Sequence, residues 1–366
     1  MRQWIMDVIC CPDCGGQFVL KQIESDADHT ETGFLYCKNH HWFPIIRKIP
    51  RLLGEKFRIK LTEEFVEKYR DLLSTSALIK VDTKINDLPD LLHDLKKKTI
   101  QNFGFEWLEY SRFGWDDEHY NLETEKKVFS RKSLLSIDEL NGKTVLDAGC
   151  GNGRYCYWAA THGARVVGID LGDGVESALK NTCDYENINI IQGDIFNLPF
   201  KNESFDAVFS IGVLMHTGNA RKATETLSRK VRNNGILTVH LYGKGNLIYE
   251  CIDCMLRLFS RRLSIKGLQK MTAFLFWIRK LLDRLKLSGI VNRYVRIDPH
   301  PHCIFDWYAA PVASHHTYKE VIKWFGAMDF KVVSTNENPT KSFIKKVLRP
   351  FAGAPATVTV KGIKSR

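Results

Sequence analysis

Short apolar runs rich in β-branched residues alternate with segments of helical spacing from Lys143 onwards. Strands that alternate with helices form a mainly parallel sheet covered on both faces, so this pattern predicts a doubly wound α/β domain. Seven strands are predicted, in chain order KTVLDAG (143–149), ARVVGID (164–170), INIIQGD (188–194), FDAVFSI (205–211), ILTVHLY (236–242), FKVVS (330–334) and ATVTVKG (356–362).

The rest of the pattern divides the chain into further segments. Residues 1–54 hold cysteine pairs and short β-type runs, and residues 55–135 are predicted to be mainly helical. The α/β domain then occupies 136–366, with a helical insert at about 245–300 between its fifth and sixth strands. Apolar residues of the insert at helical spacing are Ile265, Leu268, Met271, Leu275, Ile278, Leu282 and Leu285.

Length and composition agree with about two globular units. The chain has 366 residues, of which 44% are hydrophobic, enough for a sizeable core. No apolar run approaches the roughly 18 residues of a membrane span. The amino-terminal MRQWIMDVIC lacks the apolar stretch and cleavage site of a signal peptide. We therefore expect a cytoplasmic protein whose ten cysteines are metal ligands or core residues rather than disulfides.

The strongest local motif is VLDAGCGNGR, residues 145–154, in which a predicted strand runs into Gly149-x-Gly151-x-Gly153 before a helix. Glycine permits the positive φ of a tight strand-to-helix turn and lets a ligand approach the backbone. In a dinucleotide motif the third glycine comes one residue later, where this chain has Arg154. The spacing therefore argues against a nicotinamide cofactor.

Carboxylates follow three of the predicted strands. Asp170 ends the second strand about 20 residues after the turn, where a carboxylate accepts ribose hydroxyls. Asp194 ends the third strand and can accept a hydrogen bond from the exocyclic amine of adenine. Asp147 precedes the turn and can face the amino group of an amino-acid moiety. Because ligands of open α/β sheets bind at the carboxyl ends of strands, these acids predict a nucleoside site.

This order of motifs, DxGxGxG, two strand-end acids and FDxVxS, resembles the class I S-adenosylmethionine-dependent methyltransferases over roughly residues 103–243. The resemblance implies a Rossmann-like sheet of seven strands, one of them antiparallel. It also implies that S-adenosylmethionine is the methyl donor. Carried over to this chain, its cofactor residues are Asp147, Gly149, Gly151, Gly153, Asp170, Leu171, Asp194, Ile195, Ser210 and Ile211.

The amino-terminal segment carries metal-ligand spacing. Cys11 and Cys14 form C-x2-C, and Cys37 is followed by His40 and His41. Three thiolates and one imidazole form an accepted tetrahedral set for structural Zn²⁺, and a segment of about 50 residues buries little core without such a metal. The motifs resemble zinc-ribbon modules found beside methyltransferases. The spacing C-x3-H-x-F resembles that of ribosomal-RNA guanine methyltransferases, which favours His41 over His40 as the fourth ligand.

Methyl transfer requires an aligned nucleophile and a group that takes its proton. His216, in GVLMHTG after the fourth strand, is the first candidate. A second polar and aromatic cluster, residues 299–325, contains the further candidates His315 and His316. We expect this cluster to form a polar lid with aromatic walls over a substrate.

The net charge of +11 is concentrated in the insert. Residues 256–296 contain one acid, Asp283, and eleven basic residues: Arg257, Arg261, Arg262, Lys266, Lys270, Arg279, Lys280, Arg284, Lys286, Arg293 and Arg296. Three interpretations follow. The insert is a solvated helix, a helix on an anionic membrane with Phe274, Phe276 and Trp277 dipping in, or an RNA-binding surface.

Three functions follow from these motifs. The leading one is a methyltransferase acting on a small-molecule or lipid-linked metabolite, cytoplasmic and peripheral at the membrane if the insert binds lipid. The second is a methyltransferase for ribosomal or transfer RNA that binds RNA through the zinc module and the insert. The third is a non-catalytic cofactor-binding protein whose zinc module recruits a partner.

Overall fold

The computed structural model describes residues 1–26, 29–54, 60–75, 91–115, 122–136, 138–337 and 357–365. The strands are β1 Phe18–Asp26, β2 His29–Cys37, β3 Trp42–Ile46, β4 Ile49–Leu52, β5 Thr144–Ala148, β6 Arg165–Asp170, β7 Ile188–Gly193, β8 Phe205–Ile211, β9 Val231–Tyr242, β10 Phe330–Thr335 and β11 Thr357–Lys364. The helices are α1 Lys60–Lys68, α2 Arg70–Thr75, α3 Leu91–Glu109, α4 Leu122–Ser133, α5 Arg154–Thr161, α6 Gly174–Thr182, α7 Ala220–Ser228, α8 Leu247–Ser260, α9 Ile265–Arg284, α10 Ser288–Val291, α11 Pro301–Ala309 and α12 Tyr318–Ala327.

A mixed sheet forms the centre of the fold, in the order β1-β2-β3-β4-β7-β6-β5-β8-β9-β11-β10. All seven predicted strands are confirmed, as β5 to β11, and β11 runs antiparallel to its neighbours β9 and β10. The prediction of a Rossmann-like sheet with one antiparallel strand is therefore confirmed. The amino-terminal strands β1–β4 extend that sheet, so the described part of the chain holds eleven strands in one sheet rather than seven.

Both faces of the parallel strands are buried. Consecutive residues of one strand point to opposite faces, and Val166 and Val167 accordingly enter two different apolar clusters. One cluster includes residues of α5 and α6, and the other includes residues of α7 and α12. This arrangement explains why the strands read as continuous apolar runs rather than as an alternating pattern.

The amino-terminal segment joins the sheet at its β7 edge. Strand β4 pairs in parallel with β7, with Arg51 opposite Gln192 and Leu52 opposite Gly193. Two further backbone hydrogen bonds bridge the same edge, from Cys10 N to Pro199 O and from Lys201 N to Val8 O. Residues of the segment, among them Ile5, lie in the same apolar cluster as the parallel strands.

The described part of the predicted helical segment 55–135 contains α1, α2, α3 and α4, with turns at 110–115 after α3. Parts of that prediction fall on residues 55–59, 76–90 and 116–121, which lie outside the described residues. No helix in the described part of the chain is long and apolar enough to cross a membrane.

The predicted insert is confirmed as α8, α9 and α10. On α9, Leu268 and Leu275 are buried, while Met271, Ile278 and Leu282 pack against the core at its margin. Leu285 was predicted on the same face but is exposed, because it follows the last turn of α9 and the chain changes direction there.

Candidate cofactor site and cysteine cluster

A cavity of about 140 Å³ lies at the carboxyl ends of β5, β6, β7 and β8. Of the ten residues that the sequence assigns to the cofactor, seven line this cavity: Gly149, Gly151, Asp170, Leu171, Asp194, Ile195 and Ile211. The cavity is lined mostly by apolar surface, and α3 covers it with Ile100, Phe103 and Trp107. The structure thus brings most of these candidate residues together, although the first and last of the seven, Gly149 and Ile211, are 62 positions apart in the sequence.

The glycine turn has the backbone conformation that its sequence predicts. Gly149 has φ +89° and Gly151 has φ +52°, both in the left-handed region where side chains are strained. A Cβ at Gly149 would lie 2.3 Å from Cγ2 of Val213, and one at Gly151 would lie 2.7 Å from the ring of Trp107. Both glycines are therefore required by close approach as well as by backbone geometry.

Asp170 stabilises this turn from the end of β6. Its Oδ2 accepts a hydrogen bond from Gly151 N at 2.9 Å, and its Oδ1 accepts one from Gly172 N at 3.0 Å. Burial raises the pKa of the carboxyl, and these backbone donors oppose that effect. Each carboxylate oxygen has a second lone pair, so Asp170 retains acceptor capacity towards the cavity.

Asp194 directly follows β7 and lines the cavity. Its Oδ1 accepts from Phe196 N at 3.0 Å and caps the short 3₁₀ turn Ile195–Asn197. Ile195 and Phe196 add apolar walls beside this carboxylate. A polar edge between apolar faces is the environment that an adenine ring needs.

Asp147, Gly153 and Ser210 lie behind the cavity wall and do not line the cavity. Asp147 is buried, and its Oδ2 accepts from the Cys156 thiol at 3.3 Å while its Oδ1 has no hydrogen-bond partner among the described residues. Burial raises its pKa to about 7. Gly153 packs against Ala178 of α6, and the Ser210 hydroxyl donates to Ala148 O at 2.7 Å. Their assignment to the cofactor stays a prediction.

His216 is buried and lines the cavity after β8. Its Nδ1 lies 3.0 Å from Val312 O, and because a carbonyl only accepts, Nδ1 carries the proton. Nε2 is therefore an unprotonated acceptor, and it has no partner within the described structure. Burial lowers the pKa of His216 to about 3, so the imidazole is neutral at pH 7.

The other two candidate histidines lie outside this cavity. His315 Nδ1 lies 2.7 Å from Glu250 Oε2, and its ring stacks on Trp307. His316 lies 3.1 Å from Glu320 Oε1 and 2.8 Å from the Ser314 hydroxyl. Both contact carboxylates of neighbouring helices, Glu250 of α8 and Glu320 of α12, and a catalytic role for them stays a prediction.

Sequence reasoning missed several residues that line the cavity. Trp107, Arg154 and Asp306 line it, and the Arg154 guanidinium lies 5.8 Å from the Trp107 ring centroid. The signal was present in the aromatic sequence FGFEW, residues 103–107, and in the cluster 299–325. Which of those residues face the cavity depends on how α3 packs against α11, and spacing along the chain does not specify that packing.

The amino-terminal cysteines and one histidine meet at a single point. Cys11, Cys14, Cys37 and His41 place one ligand atom each within 4.8 Å of the others. Cys11 Sγ is 3.4 Å from His41 Nδ1, and Cys14 Sγ is 3.6 Å from Cys37 Sγ. A tetrahedron with metal–ligand bonds of about 2.0–2.3 Å has edges of roughly 3.5–3.8 Å, so the cluster has the size of a zinc site.

His40 does not join this cluster, contrary to its inclusion among the candidate ligands. It has φ +63° at the turn after Cys37, where its backbone N donates to Cys37 O, and its side chain is exposed. The left-handed turn at His40 directs the following residue, His41, back towards the cysteines. The structure therefore selects the C-x3-H spacing.

Comparisons with known proteins agree with this geometry. A family model described as a methyltransferase domain matches residues 146–239. The chain is 25% identical over 132 residues to the O-methyltransferase rstn1 of Aspergillus nomiae, covering 34% of this chain and 59% of that protein. It is 31% identical over 123 residues to the tRNA U34 carboxymethyltransferase of Campylobacter hominis, covering 31% and 41%.

A third relative is matched over more of its length. The chain is 30% identical over 182 residues to the uncharacterised protein MJ0638 of Methanocaldococcus jannaschii, covering 47% of this chain and 77% of that protein. The two enzymes named above are covered over less than two thirds of their length. With the strand order and the glycine turn, these matches establish that the chain belongs to the S-adenosylmethionine-dependent methyltransferases.

Proposed function

We propose that this protein transfers a methyl group from S-adenosylmethionine to a small-molecule or lipid-linked acceptor bound under α3. The observation that carries the proposal is the position of His216. His216, whose Nε2 is unprotonated and has no partner among the described residues, lines the same cavity as Asp170 and Asp194. Candidate nucleoside-binding carboxylates and a neutral imidazole thus share one cavity.

The residues of the cavity fit the methyl donor. Asp170 would hold the ribose hydroxyls, Asp194 and Ile195 the adenine, and the turn at Gly149 and Gly151 the amino-acid end. When bound, S-adenosylmethionine supplies a methyl group already activated by its sulfonium. The chain then has to align the acceptor and exclude water, and one proton has to leave the acceptor.

His216 would orient the methyl acceptor. Because its Nδ1 donates to Val312 O, the ring is held in one tautomer, which leaves Nε2 as its remaining hydrogen-bond acceptor. Phe103 and Tyr242 pack against the ring, with centroids 5.2 Å away in each case, and exclude water from it. Burial lowers the pKa of His216 to about 3, so the ring does not keep a second proton at pH 7. Its contribution would be a hydrogen bond that orients the acceptor, and the proton that the acceptor loses would pass to solvent.

The charges inside the cavity favour a neutral or cationic acceptor group over an anionic one. Three carboxylates, Asp170, Asp194 and Asp306, line the cavity, against one guanidinium, that of Arg154. An anionic group inside the cavity would therefore meet net negative charge. The apolar wall from α3 suits a hydrophobic or lipid-linked acceptor.

We further propose that Cys11, Cys14, Cys37 and His41 bind one structural Zn²⁺. Four ligands at tetrahedral spacing leave no open position, so this metal would stabilise the amino-terminal segment rather than take part in methyl transfer. Cys11 and Cys37 are buried at the junction with the sheet, which gives the metal a role in holding β1–β4 against β7.

Transfer of labelled methyl groups tests the function. The full chain would be incubated with methyl-labelled S-adenosylmethionine and separate lipid, small-metabolite and RNA extracts. We expect label in the lipid or small-metabolite fraction, and loss of that label with His216→Gln. Label confined to RNA would refute the proposed acceptor class. Absence of label from all fractions would refute methyltransferase activity and favour a non-catalytic binding protein.

A further inference from the structure

Helix α8 presents its apolar side to solvent and its polar side to the protein. The exposed residues of this helix are Leu247, Ile248, Cys251, Cys254, Met255, Leu258 and Phe259. Its buried residues are Tyr249 and the polar Asp253, Arg257 and Ser260. A helix on a globular core normally has the reverse arrangement, with its apolar stripe inward.

Specific hydrogen bonds hold the inward polar side of α8 and fix the orientation of the helix. Arg257 donates to Asp253 Oδ2 at 2.7 Å and to Trp307 O at 2.6 Å. Asp253 Oδ1 accepts from the Trp307 indole at 2.7 Å. These buried polar contacts fix which side faces out, because turning the helix would leave a buried ion pair without partners.

Helix α9 adds exposed aromatic residues to the same insert. Phe274 and Trp277 are 60% and 61% exposed, and their rings stack with centroids 6.4 Å apart. Leu281 on the next turn is also exposed. Large aromatic residues at this exposure are typical of helices that lie in a membrane interface, where Trp is enriched.

Cations surround these apolar residues. Of the eleven basic residues in 256–296, Arg257, Arg279 and Arg296 form ion pairs with Asp253, Asp283 and Asp298. The other eight are exposed, and none of them has an acidic partner within the described structure: Arg261, Arg262, Lys266, Lys270, Lys280, Arg284, Lys286 and Arg293. The insert thus combines apolar surface with unneutralised positive charge.

We propose that the α8–α10 insert binds the surface of an anionic lipid bilayer. Exposed apolar residues gain free energy by entering the acyl boundary, and the eight cations gain it from anionic headgroups. RNA would engage the cations but would leave the wholly apolar outer side of α8 in water. A second copy of this chain would bring two strongly positive inserts together, at an electrostatic cost.

Helix α3 forms the roof of the cavity, and the insert is hydrogen-bonded directly to this helix. The Lys98 ammonium on α3 donates to Leu263 O at 2.9 Å and also to Arg261 O, in the turn between α8 and α9. The next two residues of α3, Thr99 and Ile100, line the cavity. Bilayer binding therefore places the cavity roof near the lipid, which, on the proposed methyltransferase function, gives a lipid-linked acceptor a short route in.

Vesicle co-sedimentation of the full chain tests this proposal without substrate, so its outcome is independent of the methyl-transfer assay. Vesicles of phosphatidylcholine alone would be compared with vesicles that also contain phosphatidylglycerol. We expect binding to the mixed vesicles and at least tenfold weaker binding to phosphatidylcholine alone. Met255→Glu with Phe259→Glu, and separately Lys266→Glu with Lys270→Glu, should each weaken binding about tenfold or more.

Val333→Glu is the matched control, because Val333 is also an exposed apolar residue but lies on β10, outside the insert. It should bind as the unaltered chain does. Equal binding to both vesicles, or unchanged binding by the Met255/Phe259 variant, would overturn the proposal. It would also be overturned by a self-associated chain that the Met255/Phe259 variant disperses, or by tight tRNA binding that only the lysine variant weakens.

Discussion

The guanidinium of Arg51 donates a hydrogen bond to the side-chain oxygen of Gln192 at 2.9 Å, across the junction of β4 and β7. Gln192 in turn donates through Nε2 to Leu171 O at 3.2 Å, and Leu171 lines the cofactor cavity. Two hydrogen bonds therefore connect the amino-terminal segment to the cavity wall. Arg51 also pairs with Glu176 Oε1 of α6 at 2.6 Å, so one buried side chain ties three elements together.

Replacement of Arg51 should destabilise the fold. In Arg51→Met the Gln192 amide and the Glu176 carboxylate lose their buried partner, which should lower the free energy of unfolding by about 2–4 kcal/mol. Arg47→Met is the matched control, because Arg47 contacts the same Glu176 oxygen at 3.1 Å but is 59% exposed, and its loss should cost under about 1 kcal/mol. Urea unfolding measures both. Equal losses would show that the buried junction has no special role.

Removal of the proposed zinc should unfold the amino-terminal segment. We expect one zinc per chain by elemental analysis, lost in Cys37→Ser and in His41→Ala, with a lower melting temperature in each. The reason is that metal binding and folding are coupled in small modules. Cys183→Ser and His40→Ala are the controls, since both side chains are exposed and outside the cluster. Zinc retained by Cys37→Ser, or lost by His40→Ala, would contradict the ligand set.

The glycine turn can be tested apart from general backbone strain. Gly149→Ala introduces a Cβ into Val213 and should abolish cofactor binding as measured by calorimetry. Gly142→Ala is the control, because its φ of +70° carries similar strain, about 1–2 kcal/mol, while its Cβ would meet no atom within 4 Å. If both variants bind the cofactor alike, close approach at Gly149 is not what the site requires.

His216→Gln should lower kcat by about 10²-fold while leaving cofactor affinity unchanged, because Nε2 is proposed to act on the acceptor. Burial lowers the pKa of His216 to about 3, so the ring stays neutral as pH falls from 8 to 5 and should give no acid limb in kcat over that range. His162→Gln, at the residue that follows α5 and does not line the cavity, should keep full activity. An acid limb near pH 6.5 that disappears in His216→Gln would mean that the ring titrates as an exposed histidine.

The architecture was predictable because each strand is short, apolar and bounded by turn residues, and all seven predicted strands of the α/β domain are found. The glycine turn and the acids at Asp170 and Asp194 were predictable for a related reason. Carboxyl ends of parallel strands meet at one edge, so chain order alone brings such residues together.

The remaining features depend on packing between distant segments. The contact of Trp107 with Gly151 requires α3 to lie over the turn, and no local pattern states where a helix docks. The outward apolar side of α8 was also not predictable, since helical spacing identifies an apolar stripe but not whether it faces the core. The sequence spacing allowed either His40 or His41 as the fourth ligand. The positive φ of His40 turns the chain so that His41, and not His40, meets the cysteines.

Calorimetric titration of the full chain with S-adenosylhomocysteine, the demethylated product, tests the central claim most directly. We predict one binding event per chain, weakened at least tenfold by Asp170→Ala and unchanged by Asp138→Ala, whose exposed side chain lies at the opposite end of β5. Absence of binding heat, or equal affinity of the two aspartate variants, would contradict the assignment of this cavity to the methyl donor.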